Sequence, residues 1–535
     1  MEKKLNDIGL DKNADGTVMH NDGNKHKVLD LLNATGKGFC LAKWTQVTMH
    51  LGSGLTHSCH HPVPHKIPLD ELDNNPSALH NTSFKKEQRV IMLNGGKPAE
   101  CDFCWRIEDN TKEFSDRALK SIAPYSLLDH DAIAAMTGTE DVFPRYVEVS
   151  FSSVCNLKCS YCGPTHSSKW AEEISVHGPY ELTEGGWYHS KVEENILAKD
   201  DNPYTTAFWK WFPTALPHLH TFRVTGGEPL MSKHTFMVME YLLDNPQPNL
   251  EFAVNSNASV PDKLWTRFVE LAIKLEEKKC IKKLTLFVSA EGTKQQLEYS
   301  RFGMSWDAFT QNVENFLSLT SNTRVVFMCA FNVFSLPTFK EQLEYTLYLK
   351  KRFVKSGTFE WISDIGVNIN DILNDRVSEV TGEYKIDYSA DTKTTEPRIG
   401  IDIPYVRYPD FLDVKILPLS IIEKYLLPAV DYMYKNVGNS NWDSGIGFSG
   451  SEADKLKRIL VDCLSRFKHI KDTGAPDPDV TIAILRSRFY EFVTEYDSRR
   501  NVSFVETFPE YSEFYNLCSE SNFKRGKIIN VIPSA

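Results

Sequence analysis

Three cysteines, Cys155, Cys159 and Cys162, follow directly on the alternating apolar stretch Tyr146-Val147-Glu148-Val149-Ser150-Phe151. Alternation with a period of two reads as a strand, so the three thiols share one short loop at a strand end. Three thiolates so placed can ligate three irons of a cubane iron–sulfur cluster, whereas ferredoxin-type sites supply four cysteines. The fourth iron is then open, and an open metal position is where a ligand or substrate binds. Incomplete ligation therefore points to catalysis. Structural zinc is the competing occupant, but it normally closes with four ligands and paired C-x2-C spacing.

The rest of the chain sets outer bounds. Its 535 residues allow two or three domains with sizeable cores. Acidic residues outnumber basic ones, 71 to 60, for a net charge of −11. That balance argues against a sequence-independent grip on a nucleic-acid backbone, a local basic groove aside. The N-terminus, Met1-Glu2-Lys3-Lys4-Leu5-Asn6-Asp7, lacks the apolar region of a signal peptide, and no apolar run reaches membrane-spanning length. The expectation is a cytoplasmic protein that meets no membrane. Seven of the eleven cysteines fall in two clusters, which favours metal over disulfides.

Downstream, strand and helix signals alternate. His220 to Thr225 reads as a strand running into Gly226-Gly227-Glu228-Pro229, and a helix with Phe236, Met239, Tyr241 and Leu242 follows. Leu250 to Val254 is a short strand ending at Asn257. Leu264, Phe268, Leu271 and Leu275 then form a helical stripe begun by Pro261. Leu284 to Val288 and Val325 to Phe331 read as buried strands, separated by a helix that Ser305 caps. This pattern predicts right-handed crossovers and a parallel sheet.

The run C-x3-C-x-aromatic-C resembles the signature of the radical S-adenosylmethionine (radical SAM) superfamily. The resemblance implies an α/β fold, a partial (β/α)6 barrel, with a [4Fe–4S] cluster on Cys155, Cys159 and Cys162. In that family the free iron chelates SAM, and an electron from the cluster releases a 5′-deoxyadenosyl radical. By the same resemblance Tyr161 lies near the adenine. Gly226, Gly227 and Glu228 match the glycine-rich motif that meets the methionine amino group, Glu228 receiving the ammonium. The same four residues also make simply a good turn. Asn257 stands where relatives carry a polar SAM-binding residue. Ser289 and Arg301 match a serine and arginine that hold the SAM carboxylate or ribose; a surface ion pair is the other reading of Arg301. Glu291-Gly292 departs from the Asp-Gly of the family.

A second set precedes the strand: Cys40, Cys59, Cys101 and Cys104, with one C-x2-C pair. Four cysteines make a complete tetrahedral or cubane ligand set. The pattern resembles the twitch-type module, a short relative of the SPASM domain that holds an auxiliary [4Fe–4S] cluster, and Glu108 and Ser115-Asp116-Arg117 fit it. In the best-known members that module follows the barrel; here it precedes it. Zinc remains the alternative, including a version with His60 or His61 replacing a cysteine. His57, His60, His61 and His65 read as solvated loop histidines.

Cys280, Cys329, Cys463 and Cys518 are scattered. Cys329, on an expected strand, reads as a small buried hydrophobe, with a radical relay as the alternative. Phe208-Trp209-Lys210-Trp211-Phe212 reads as core packing. Asn374 to Arg398 suggests an insertion, and Asp413 to Pro418 an edge strand stopped by proline. Two C-terminal helical faces follow, Leu456-Ile459-Leu460-Cys463-Leu464-Phe467 and Ile482-Leu485-Phe489-Phe492-Tyr496. Asp497-Ser498-Arg499-Arg500 and Phe508-Pro509-Glu510 also recur in the twitch-domain radical SAM proteins that the chain resembles.

The expected division is an auxiliary-cluster module over 1–140, a barrel over 141–420 with an insertion near 374–398, and a helical region over 421–535. Such an enzyme would take electrons from a flavodoxin or ferredoxin and act on a peptide or protein, with RNA or a small metabolite as other substrate classes. An iron–sulfur electron carrier without SAM chemistry and a zinc-stabilised binding protein on a decayed barrel are the alternatives from other classes.

Overall fold

Thirteen strands organise the described residues of the protein in this computed structural model. They are β1 (Gln46–His50), β2 (Leu55–His57), β3 (His65–Lys66), β4 (Tyr146–Ser150), β5 (Lys158–Cys159), β6 (Tyr180–Leu182) and β7 (Gly186–Tyr188). Then come β8 (Thr221–Thr225), β9 (Gln247–Ser256), β10 (Ile281–Ser289), β11 (Arg301–Phe302), β12 (Thr323–Met328) and β13 (Ile399–Asp402). The structure describes residues 5, 8–12, 18–19, 21–111, 114–183, 186–188, 200–353, 398–406, 408–437, 447–473 and 480–529. The fold is mixed α/β, with a central, mainly parallel sheet and many helices. No helix among the described residues is long and apolar enough to cross a membrane.

The chain forms two compact units. One comprises Met1–Val154, Glu194–Val254 and Glu277–Leu284; the other comprises Cys155–Glu193, Asn255–Glu276 and Thr285–Ala535. In the first unit the strands lie in the order β3-β2-β1-β4-β8-β9. β4 is parallel to β1 on one side (Val147↔Val47) and to β8 on the other (Val147↔Phe222), and β8 is parallel to β9. Val147 and Val149 are buried while Tyr146, Glu148 and Ser150 are only partly so, which is the alternation read in the sequence. The helix Pro203–Ala215 buries Phe208, Trp211 and Phe212. Phe208 stands edge-on to Phe151 at 5.1 Å and stacks on Phe212 at 5.0 Å, so the aromatic run is core. A separate apolar cluster built on Leu31, Phe39, Trp44, Met92 and Trp105 includes Cys104, with Cys40 and Cys101 packed on its margin.

In the second unit β12 pairs in parallel with β13 (Val325↔Ile399), and two short antiparallel pairs, β5–β11 and β6–β7, stand apart. Ser305 caps the helix Trp306–Leu319 as expected, its hydroxyl accepting from the Ala308 amide at 3.3 Å. The C-terminal faces are buried as read at Leu456, Leu460, Cys463, Phe489, Phe492 and Tyr496.

Two expectations are corrected. Asp413 to Pro418 is not an edge strand: 3-10 turns occupy Asp410–Leu412 and Val414–Ile416. The Asp413 carboxylate accepts from the Lys415 amide at 2.8 Å, a local bond that holds the backbone in a turn. The strand in this part of the chain is β13, which the sequence reading passed over. β12 ends at Met328, so Cys329 lies just past it, fully buried and with its amide on the Asp402 carbonyl at 2.8 Å. The suggested insertion at 374–398 lies, up to residue 397, outside the described residues.

Candidate metal centres

The triplet follows β4 in the chain, and its backbone is held by hydrogen bonds. Cys155 donates its amide to Ser168 Oγ at 3.2 Å, and Ser168 Oγ returns a bond to the Cys155 carbonyl at 3.3 Å. Cys159 lies in β5 opposite Arg301 of β11, and the Trp170 indole donates to its carbonyl at 2.8 Å. The Ser160 amide donates to the Ser300 carbonyl at 2.7 Å. Cys155 is 8 % exposed, and Cys159 and Cys162 are partly buried. Burial pushes the Cys162 thiol up to about 12, with the neighbouring Cys159 adding to the shift. Burial also raises Cys159, while Arg301 opposes that shift.

Arg301 is no surface residue: it is 5 % exposed. It donates Nε and Nη2 to Glu291 Oε2 at 2.9 and 2.7 Å, directs Nη1 to Cys159 Sγ at 3.7 Å, and lies over the Tyr161 ring at 5.4 Å. The Tyr161 hydroxyl donates to Glu291 Oε1 at 3.1 Å. Glu291, which sequence reasoning left out of the site, is therefore the hub between Tyr161 and Arg301. Ser289, paired with Arg301 in the sequence reading, is partly buried at the end of β10. Asn257 donates to Asn156 Oδ1 at 2.9 Å, beside Cys155 in the chain.

Gly226 and Gly227 sit where side chains would collide. Gly226 has φ +133, and a Cβ there would meet Ser150 Oγ at 2.8 Å; one on Gly227 would meet the Val154 carbonyl at 2.5 Å. The turn can thus lie against the backbone leading into Cys155, with the Glu228 amide on the Val154 carbonyl at 2.8 Å. The Glu228 carboxylate, 2 % exposed, accepts from the Leu230 amide at 3.0 Å, so it also serves the turn.

A second support was legible only as the run Asp497-Ser498-Arg499-Arg500. Arg500 Nη1 donates to the Lys158 carbonyl at 2.7 Å, and its Nε and Nη2 reach the Glu173 carboxylate at 3.0 and 3.1 Å. Lys158 Nζ and the Tyr180 hydroxyl donate to the same carboxylate at 2.6 and 2.7 Å.

In the first unit Cys40 and Cys59 lie in loops, Cys101 ends the 3-10 turn Ala99–Cys101, and Cys104 is in the first turn of the helix Asp102–Asn110. Cys40 is raised by burial and further by the charges of Cys59, Cys101 and Cys104, so all four are electrostatic neighbours. Burial pushes Cys101 up to about 11. Arg117 braces the set, donating to Glu108 at 3.0 and 2.7 Å and to the Phe39 carbonyl, next to Cys40, at 3.1 Å.

His60 is exposed, as the solvated-loop reading expects, whereas His57, His61 and His65 depart from it. His57 is buried, its Nε2 3.1 Å from His50 Nε2, and His65 Nε2 lies 2.9 Å from Thr82 Oγ1. His61 stacks on Phe103 at 3.7 Å, and His60 and His61 both meet Asp116 Oδ2, at 2.9 and 2.8 Å. Burial of this kind comes from tertiary neighbours and leaves no mark on the loop sequence.

No family model matches the chain, and no curated protein matches it. Solved structures similar to it include Streptococcus suis SuiB, with 12% identity over 60% of this chain and 67% of that one, at a TM-score of 0.29. SuiB bound to S-adenosylmethionine is 13% identical over 64% and 70%, at 0.29, and SuiB bound to precursor peptide SuiA is 13% identical over 67% and 72%, at 0.27. Likeness at this level establishes neither fold nor function.

Proposed function

We propose that the chain is a radical SAM enzyme built on a partial (β/α)6 barrel and carrying two [4Fe–4S] clusters. The observation that carries this reading is the triplet: Cys155, Cys159 and Cys162 on one loop past a parallel strand, with Tyr161, Glu291 and Arg301 packed against it. The three thiols would ligate three irons and leave the fourth open for SAM. When bound, the cluster supplies the electron that cleaves SAM to a 5′-deoxyadenosyl radical. Arg301 places positive charge at Cys159 Sγ and favours thiolate where burial opposes it. Glu291 and Tyr161 fix Arg301 in that pose. Glu228, with Gly226 and Gly227, is assigned the ammonium end of SAM, and Asn257 and Ser289 are further polar groups for it. The barrel would serve to exclude water from a reactive radical.

Cys40, Cys59, Cys101 and Cys104 are assigned the auxiliary cluster. The same four thiols would also close a tetrahedral zinc site. The substrate class assigned is a peptide or protein, the reductant a flavodoxin or ferredoxin, and the compartment the cytoplasm.

Anaerobic reconstitution followed by dithionite and SAM tests this reading. The expected result is 5′-deoxyadenosine and about eight irons per chain. About four irons with one zinc would make the four-cysteine site structural. A fully loaded, reduced protein that releases no 5′-deoxyadenosine would leave an electron carrier and overturn the enzyme reading.

A further inference from the structure

Three cations are buried together beside the four cysteines of the first unit. Lys43, Lys85 and Arg89 are 2, 1 and 0 % exposed. Lys43 pairs with Glu100. Lys85 Nζ lies 2.9 Å from His80 Nδ1. His80 Nε2 lies 2.8 Å from the Trp44 carbonyl and 3.1 Å from Arg89 Nη2. Arg89 donates to the Lys43 carbonyl at 3.2 Å and to Asn81 Oδ1 at 2.8 Å. Neither Lys85 nor Arg89 forms an ion pair among the described residues. Buried cations need a counter-charge: Glu100 pairs with Lys43, and Asp141 and Glu140 act on Arg89, but Lys85 has no ion-paired carboxylate among the described residues.

The missing charge lies with the cysteines. Burial works against both ammoniums. At Lys43 the charges of Cys101, Glu100 and Cys59 outweigh burial and raise its pKa. At Lys85 the cations Arg89 and Lys43 add to burial and hold its pKa well below the ordinary value, with Glu100 and Cys59 acting in the opposite sense. With protonated thiols the group is a net cation. Four thiolates on a 2+ core, whether a [4Fe–4S] cluster or zinc, carry a net charge of 2−.

We propose that Lys43 and Lys85 are the built-in counter-charges of the four-cysteine centre, stabilising its ligated anionic form and raising its reduction potential. The proposal rests on the ligand set assigned above. The two lysines are positioning residues that act through the centre's charge: each added electron deepens the negative charge beside the ammoniums, which favours the reduced state.

The test uses the full chain with Cys155, Cys159 and Cys162 all changed to Ala, so that only the four-cysteine centre is read. In this background Lys85→Met should lower the cluster midpoint potential and speed metal release to a chelator about tenfold, a loss of about 1.4 kcal/mol if carried by the equilibrium. Lys85→Arg should restore both. Should Lys85→Met fail to fold, Lys43→Met and Lys85→Gln carry the same readouts. If the centre proves to be zinc, release alone decides. Folded Met variants with unchanged potential and release would overturn this proposal alone. A background protein that binds neither iron nor zinc would overturn the ligand set and this proposal with it.

Discussion

Glu173 lies behind the triplet loop and takes four hydrogen bonds from three side chains, Arg500, Lys158 and Tyr180. Burial opposes its ionisation, but the bonds and charge of Arg500 together with the Lys158 bond outweigh burial and hold its carboxyl at about 2. A carboxylate whose folded pKa lies below the ordinary 4.5 stabilises the fold fully above about pH 4.5 and loses that contribution as the pH falls through about 2. Urea unfolding of the wild type and Glu173→Gln at a series of pH values checks this. The stability gap between them should narrow from about pH 4.5 to about 2, and a constant gap would show that the charge contributes nothing. Glu291 illustrates what a single residue hides. In the sequence it is a departure from Asp-Gly; in the structure its carboxylate meets both Arg301 and Tyr161, residues brought to it by the β5–β11 pairing.

At the scale of elements, the helix Val480–Arg500 ends with Arg499 and Arg500 in its last turn, where cations suit the helix dipole. From that end Arg500 reaches the cysteine loop. Arg500→Ala leaves Glu173 and the Lys158 carbonyl without a main donor, and breaking a buried pair costs about 3–5 kcal/mol. The expected outcome is a fall to about four irons per chain, the four-cysteine centre being retained. Iron analysis with denaturant unfolding of the apo-protein measures both parts, and a full complement of iron would contradict this role for the helix. Periodicity made β4, β8, β9, β10 and β12 legible, with the helices that follow β8 and β9, the helix Trp306–Leu319 and the two C-terminal ones, since burial on one face repeats with the backbone. It misled at Asp413 to Pro418, where buried Val414 and Ile416 mimic a strand's alternation although Asp413 ties the backbone into a turn.

For the whole molecule, the two cysteine sets belong to different compact units, and their removal should separate two activities. Cys159→Ala should abolish SAM cleavage, whereas Cys101→Ala should leave some cleavage uncoupled from product. Equal loss in both variants, read by 5′-deoxyadenosine release, would contradict that division. The spacing of Cys155, Cys159 and Cys162, the four earlier cysteines and the alternation of strand and helix were all readable from the chain, because ligand spacing and period are local properties. The partners of those residues were not. Parallel pairing of β1 with β4, the Glu291–Arg301 bridge, the reach of Arg500 and the buried Lys43, Lys85 and Arg89 join residues far apart in the chain. Only packing brings them together, and burial then decides which charges must be matched.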